Sequence, residues 1–182
     1  MTTTAHIADR DARAPGAGLN VTDIKGYDRG TGTGEPTESV AHLLRLMKGA
    51  DDTYNSRDYD FFLDKRHSED VAVHYIGAPS TVGRPAHRTD MENYIKSFPD
   101  MRVLNDPYDV QFGQGEWTVA LGKLAGTFTQ PLPLPDGSVV EPTGKSFLIF
   151  FTTIARWQND QMVDEYVLFD QQDLVRQVTA SD

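Results

Sequence analysis

KSFLIFFTTIARWQ, residues 145 to 158, and QMVDEYVLFD, residues 161 to 170, are the stretches whose reading decides the fold. Both are rich in β-branched and aromatic residues, and only Asn159 and Asp160 separate them, which is the composition of a tight hairpin. Upstream, EWTVALGKLAGTFTQ (116 to 130) and MRVLNDPYDVQF (101 to 112) have the same character, with Gly113 to Gly115 and Pro131 to Gly144 as turn-like separators. Four long strands in meander order are therefore expected. A short helix from Gln171 to Val178 should close the chain.

Before the strands the period changes. Val40, Leu43, Leu44 and Met47 recur at helical spacing and predict a first helix from about Thr37, running with a kink at Asn55 to Asp58 into the Tyr59 to Leu63 cluster. VAVHYI, residues 71 to 76, reads as a strand that Gly77 and Pro79 end. RPAHRTDMENYIKSF, residues 84 to 98, puts Met91, Tyr94, Ile95 and Phe98 on one helical face and stops at Pro99. Helices first and antiparallel strands after them imply an α+β domain over residues 37 to 182, a strongly curved sheet wrapped around N-terminal helices with an apolar pocket between the layers. Residues 1 to 36 hold six of the 15 glycines, show neither period, and read as a flexible or extended arm.

Composition narrows the functional classes. The 182 residues carry 17 basic and 27 acidic side chains, net -10, so nothing attracts the chain generally to nucleic acid or anionic lipid. There is no cysteine, which removes thiolate nucleophiles, iron–sulfur clusters and Cys-type zinc sites. No run approaches the length of a membrane span, and the first residues show no signal-type apolar segment, so the expected location is cytoplasmic. None of the five histidines forms a His-x-His or His-x-x-x-His pair, so neither a metal nor a cofactor is expected.

The order of FPDMR, EWTVALGKLAGTF, PTGKSF and ARWQNDQMVDEYVLFDQQDLVRQV along Val40 to Val178 resembles the SnoaL-like polyketide cyclase group of the nuclear transport factor 2-like superfamily. The resemblance implies a cone-shaped α+β barrel around a cavity, a homodimer paired through the outer sheet face, and a small hydrophobic, aromatic or polyketide-like substrate. It also implies a carboxylate general acid/base at the end of the last strand, acting without a cofactor in an intramolecular aldol-type ring closure or a related isomerase or lyase step. Met162 to Asp170 matches that motif and puts the base at Asp170, although Glu165 stands where His is frequent and Tyr166 where Trp is.

The residues themselves leave alternatives open. Strand alternation puts Asp164, Tyr166, Leu168 and Asp170 on one face and Glu165, Val167 and Phe169 on the other, unless a bulge intervenes. Asp170 is either a desolvated base or the N-cap of the short helix that follows. His74, mid-strand on the face opposite Val73 and Tyr75, is the second catalytic candidate, whereas His42, His67 and His87 read as surface or locally hydrogen-bonded. Tyr54, Tyr59, Phe62, Trp117, Trp157 and Tyr166 are the candidate substrate-binding residues, able to stack on a flat ligand or donate a hydroxyl. The rival readings are a non-catalytic binding or dimerisation module and a dehydratase or hydrolase. The Arg-x-Asp pair of related epoxide hydrolases has no counterpart in Ala120 to Thr127.

Overall fold

An apolar stripe at helical spacing builds the first element, α1 (Glu38–Asn55), which buries Val40, Met47, Ala50 and also Asp51. The computed structural model describes residues 38–133 and 137–180. The arm read over residues 1 to 36 lies outside the described residues. α2 (Tyr59–Arg66) follows after a short turn, its N-cap Asp58 accepting from the Phe61 amide at 3.2 Å. In that turn Arg57 adopts φ 66, and its guanidinium donates to the carbonyls of Pro99 and Met101 at 2.7 Å each. These charge-assisted bonds offset the left-handed backbone and tie the helical hairpin to the far end of the third helix.

β1 (His67–Tyr75) and β2 (Thr81–Val82) lead into α3 (Arg84–Ser97), which has Pro85 in its first turn, where a missing N–H costs nothing. Next come β3 (Arg102–Leu104), β4 (Val110–Gln114) and β5 (Trp117–Thr127). MRVLNDPYDVQF is thus two strands rather than one. Pro107 cannot donate to a ladder, and the chain leaves the sheet around it before β4 pairs with β5 beside β3. The segment read as a separator contains a two-residue hairpin, β6 (Leu132–Pro133) with β7 (Val139–Val140). β8 (Ser146–Gln158), β9 (Gln161–Phe169) and α4 (Gln171–Thr179) complete the described chain.

The large sheet has the order β2-β1-β9-β8-β5-β3, with β4 also on β5. It is mixed: β1 runs parallel to β9, and its other pairings are antiparallel. A parallel neighbour needs a long connection, and here α3 and the intervening strands supply it. β8 and β9 are joined as their sequence suggested, through Asn159 and Asp160 at φ 51 and 64, the backbone of a tight hairpin turn.

A register shift in this hairpin sets the faces of β9. Asp164 pairs with Arg156 and Met162 with Trp157, so Val163 is an extra residue. Met162 and Glu165 consequently both point inward and are buried, while Asp164 points outward and accepts from Arg156 at 2.8 and 2.6 Å. On the inner face Trp157 is fully buried and donates its indole N–H to Thr118 Oγ1 at 2.8 Å. The outer face of the same sheet leaves Trp117, Leu148, Phe150 and Tyr166 exposed. Among the described residues no helix is long and apolar enough to cross a membrane.

Gly122 matters to the site. A Cβ there would lie 2.8 Å from the Leu104 carbonyl oxygen and 3.2 Å from Tyr108 Cδ1. Glycine therefore lets the chain between β3 and β4 lie close against β5, with Tyr108 reaching back to α1.

Candidate functional site

Helices α1 to α3 and the inner sheet face line a largely apolar, partly open cavity whose polar wall includes Asp51, Tyr54, Tyr75, His87, Asp90 and Glu165. Each comes from a different reason of local structure. Asp51 occupies the buried stripe of α1, His87 the first turn of α3 on the face that carries Met91 and Tyr94, and Glu165 the inner face of β9. Tyr75 follows Val71 and Val73 along the inward side of β1.

Glu165 is a buried carboxylate with two imidazoles beside it. Its Oε2 lies 3.2 Å from His67 Nε2 and 3.5 Å from His87 Nε2. Burial would raise its pKa, but the hydrogen bond and charge of His67, helped by His87, outweigh that and hold it below the usual range. His67 is itself fixed from behind, since its Nδ1 lies 3.0 Å from the Phe62 carbonyl oxygen. Arg84 donates to the His67 carbonyl at 3.0 and 2.8 Å, pinning the start of β1 to that of α3. Burial lowers the His87 pKa to about 4, although the Glu165 charge pulls the other way. His87 Nδ1 lies 3.3 Å from the Tyr75 hydroxyl.

Asp51 has the opposite environment. Its Oδ2 accepts from the Tyr108 hydroxyl at 2.6 Å, and the nearby Lys48 is engaged with Asp52 at the surface. Burial pushes the Asp51 pKa up to about 7, the Tyr108 hydrogen bond notwithstanding, and the charges of Glu165 and Asp52 add to the rise while Lys48 opposes it. Burial likewise pushes the phenols of Tyr54 and Tyr75 up, which keeps both as donors. Of the three carboxyls that line the cavity, Asp51, Asp90 and Glu165, the first and last thus have pKa values driven apart, the pattern that separates an acid from a base.

The residues singled out from sequence fall into three groups. Tyr54 and Phe62 line the cavity, while Tyr59 packs on Tyr54, with ring centroids 6.0 Å apart, and is not among the lining residues. Trp157 is a core residue, held by Thr118. His74, Trp117 and Tyr166 belong to the outer face, where His74 stacks on Tyr166 at 4.4 Å and its Nδ1 lies 2.9 Å from Ser80 Oγ. The inward side of β1 is that of Val73 and Tyr75, so His74 points away from the cavity.

Asp170 is exposed and caps α4, accepting from the Asp173 amide at 2.9 Å. The strand has ended one residue earlier, and the capping interaction takes the carboxylate to the surface rather than into the cavity. The groups that do converge, Asp51, Glu165, His67 and His87, were partly visible in sequence. Asp51 is a carboxylate four residues after Met47 on an apolar stripe, and His87 stands four before Met91 on another. His67 carried no such signal.

The pKa displacement of Asp51 has a stability consequence with a definite sign. Between about pH 4 and pH 7 the native state holds a proton that the unfolded chain has released, so stability falls as pH rises through that window, by a total approaching about 4 kcal/mol. The Asp51→Asn variant does not pay this cost. Its melting temperature relative to wild type should therefore rise by several degrees between pH 4 and pH 8, as read by calorimetry. A difference that is independent of pH would contradict a carboxyl whose pKa burial has raised.

The fold matches a candidate SnoaL-like polyketide cyclase of Jannaschia sp. CCS1 at 13% identity and TM-score 0.71, over 82% of this chain and 99% of that one. It also matches a candidate polyketide cyclase of Xanthomonas campestris pv. campestris at 17% identity and TM-score 0.66 (76% and 98%). A third match is an NTF2-like protein of unknown function from Burkholderia pseudomallei K96243, at 18% identity and TM-score 0.61 (76% and 98%). No curated protein matches. The profile of the SnoaL-like polyketide cyclases matches residues 44–178, and with this topology the chain belongs to that family.

Proposed function

We propose that this protein is an enzyme that removes a proton from a carbon next to a carbonyl of a small, largely apolar, polyketide-like compound and promotes aldol-type ring closure, with Asp51 as the proton-transferring group. The observation that carries the reading is the Asp51 carboxyl itself, buried on the cavity wall and brought by burial to about 7. A proton shuttle is most effective when its pKa lies near the working pH. Flanking carbonyls delocalise the carbanion, and the protonated phenols of Tyr54 and Tyr75 line the same cavity as donors to the enolate oxygen. The carbanion then attacks a second carbonyl carbon of the same molecule. One C–C bond forms, and the alkoxide takes the proton back from the Asp51 carboxylic acid, so substrate and product are isomers.

Asp170 is the weaker candidate for this role because its carboxylate is committed to α4 and faces solvent. Its outward position also gives weight to the second reading, a protein that binds such a ligand without transforming it. Exchange of α-protons for deuterium separates the alternatives, using a flat apolar ketone such as a naphthyl methyl ketone and following the methyl signal by NMR. Wild type should accelerate exchange, Asp51→Asn should lose about 10² to 10⁴ of that acceleration, and Asp170→Asn should keep it. Saturable binding without exchange in the wild type would favour the binding-only reading, and full exchange by Asp51→Asn would remove Asp51 from the mechanism.

We read the outer sheet face as the seat of a second copy of the chain. Phe150 and Leu148 are 65% and 52% exposed there, and Trp117 and Tyr166 extend the patch across neighbouring strands. Light scattering on the eluting protein should give twice the 20.3 kDa of one chain, and Phe150→Glu should halve it. A wild type that elutes as a monomer at micromolar concentration would sink this assignment.

A further inference from the structure

We propose that His67, His87 and Glu165 form a binding site for one divalent transition-metal ion, held by the Nε2 of each imidazole and a carboxylate oxygen. The three ligand atoms lie within 4.8 Å of one another, and all three residues are buried. Ligands about 2.0 to 2.1 Å from a tetrahedral ion stand roughly 3.4 Å apart. The Glu165 oxygen already lies 3.2 and 3.5 Å from the two nitrogens.

The remaining ring nitrogens support the same assignment. A carbonyl oxygen only accepts, so His67 Nδ1, 3.0 Å from the Phe62 carbonyl, carries a hydrogen, and Nε2 is the nitrogen aimed at Glu165, where an ion would take the place of its proton. His87 Nδ1 lies against the Tyr75 hydroxyl, which is able to accept its hydrogen, and its Nε2 is buried without a hydrogen-bond partner. Orientation of a ligand imidazole by a polar partner on its other nitrogen is the usual support of a metal-bound histidine. Lone pairs that converge on a carboxylate repel unless something positive stands among them. One proton can serve His67 and Glu165 but leaves His87 Nε2 unpartnered, whereas one ion accounts for all three atoms.

Two imidazoles and one carboxylate suit a borderline-soft ion of the Zn²⁺ or Fe²⁺ kind rather than Ca²⁺ or Mg²⁺. The elements that bring the ligands together are β1, the first turn of α3 and β9, so no local His-x-His spacing announces them. His87 and Glu165 line the cavity, which leaves an open coordination position facing a bound molecule. An ion there would polarise a carbonyl oxygen as a Lewis acid. The assignment goes beyond the reaction proposed for Asp51 and stands on the three ligand atoms alone.

The test uses the full chain without a histidine tag, stripped with EDTA and checked for folding by circular dichroism. Calorimetric titration with ZnCl₂ should show one equivalent bound, with affinity reduced at least about a hundredfold in Glu165→Gln and in His87→Asn and about tenfold in Tyr75→Phe. His74→Asn, on the outer face, should leave it unchanged. Excess Zn²⁺ at about a hundred times Kd should raise the melting temperature by about 5 to 10 °C. Should a variant not fold, Co²⁺ bound to the wild type reads the ligand set directly, and visible absorption of a four-coordinate nitrogen and oxygen site is expected. Failure of the folded wild type to bind either ion, or binding that Glu165→Gln and His87→Asn leave intact, overturns the proposal. The exchange assay run in chelator keeps the Asp51 reading separate, because it needs no ion.

Discussion

An ionised carboxylate in a protein interior must be met by positive charge or hydrogen-bond donors, and Glu165 sets this constraint for the whole inner face. The bulge at Val163 turns Glu165 inward, the parallel pairing of β1 and β9 brings His67 to it, and the first turn of α3 delivers His87. Arg84 and the Phe62 carbonyl then fix His67 from outside. Asp51 faces the same cavity without a cation of its own, which is why burial moves its pKa in the other direction. The difference between these carboxyls is a product of the fold, since neither residue type nor local sequence distinguishes them.

Much of this architecture could be read before any coordinates. The helical stripe from Val40 to Met47, the Pro99 stop, the strands on either side of Asn159 and Asp160, and the closing helix all rest on local periodicity and turn chemistry, and they recur in the structure. The parallel β1–β9 contact could not be read, because nothing local specifies a partner ninety residues away. The side-chain sets on β9 could also be listed from alternation. Which set faces inward was harder, because the outer face is apolar as well: Leu168 and Tyr166 look as burial-prone as Val167 and Phe169.

That ambiguity explains the distribution of the candidate site residues. His74 and Tyr166 lie on the outer face because the inward side of β1 and β9 runs through Tyr75 and Glu165. Asp170 carries both a strand-end and a helix-start signal, and in the structure it serves the helix. Asp51, by contrast, was legible in principle as a charge on an apolar stripe, a feature that costs stability unless something uses it. The fold is shared with proteins under 20% identical to this chain, so similarity of architecture leaves the chemistry to be argued from these particular groups.

The central claim is that one buried carboxyl on α1 exchanges its proton near neutrality, and the direct measurement is the pH titration of the Asp51 carboxyl carbon by ¹³C NMR, assigned by comparison with Asp51→Asn. An inflection near pH 7, well separated from that of the surface carboxylates, is the expected result. An Asp51 signal that titrates with the surface carboxylates near pH 4 would contradict the account.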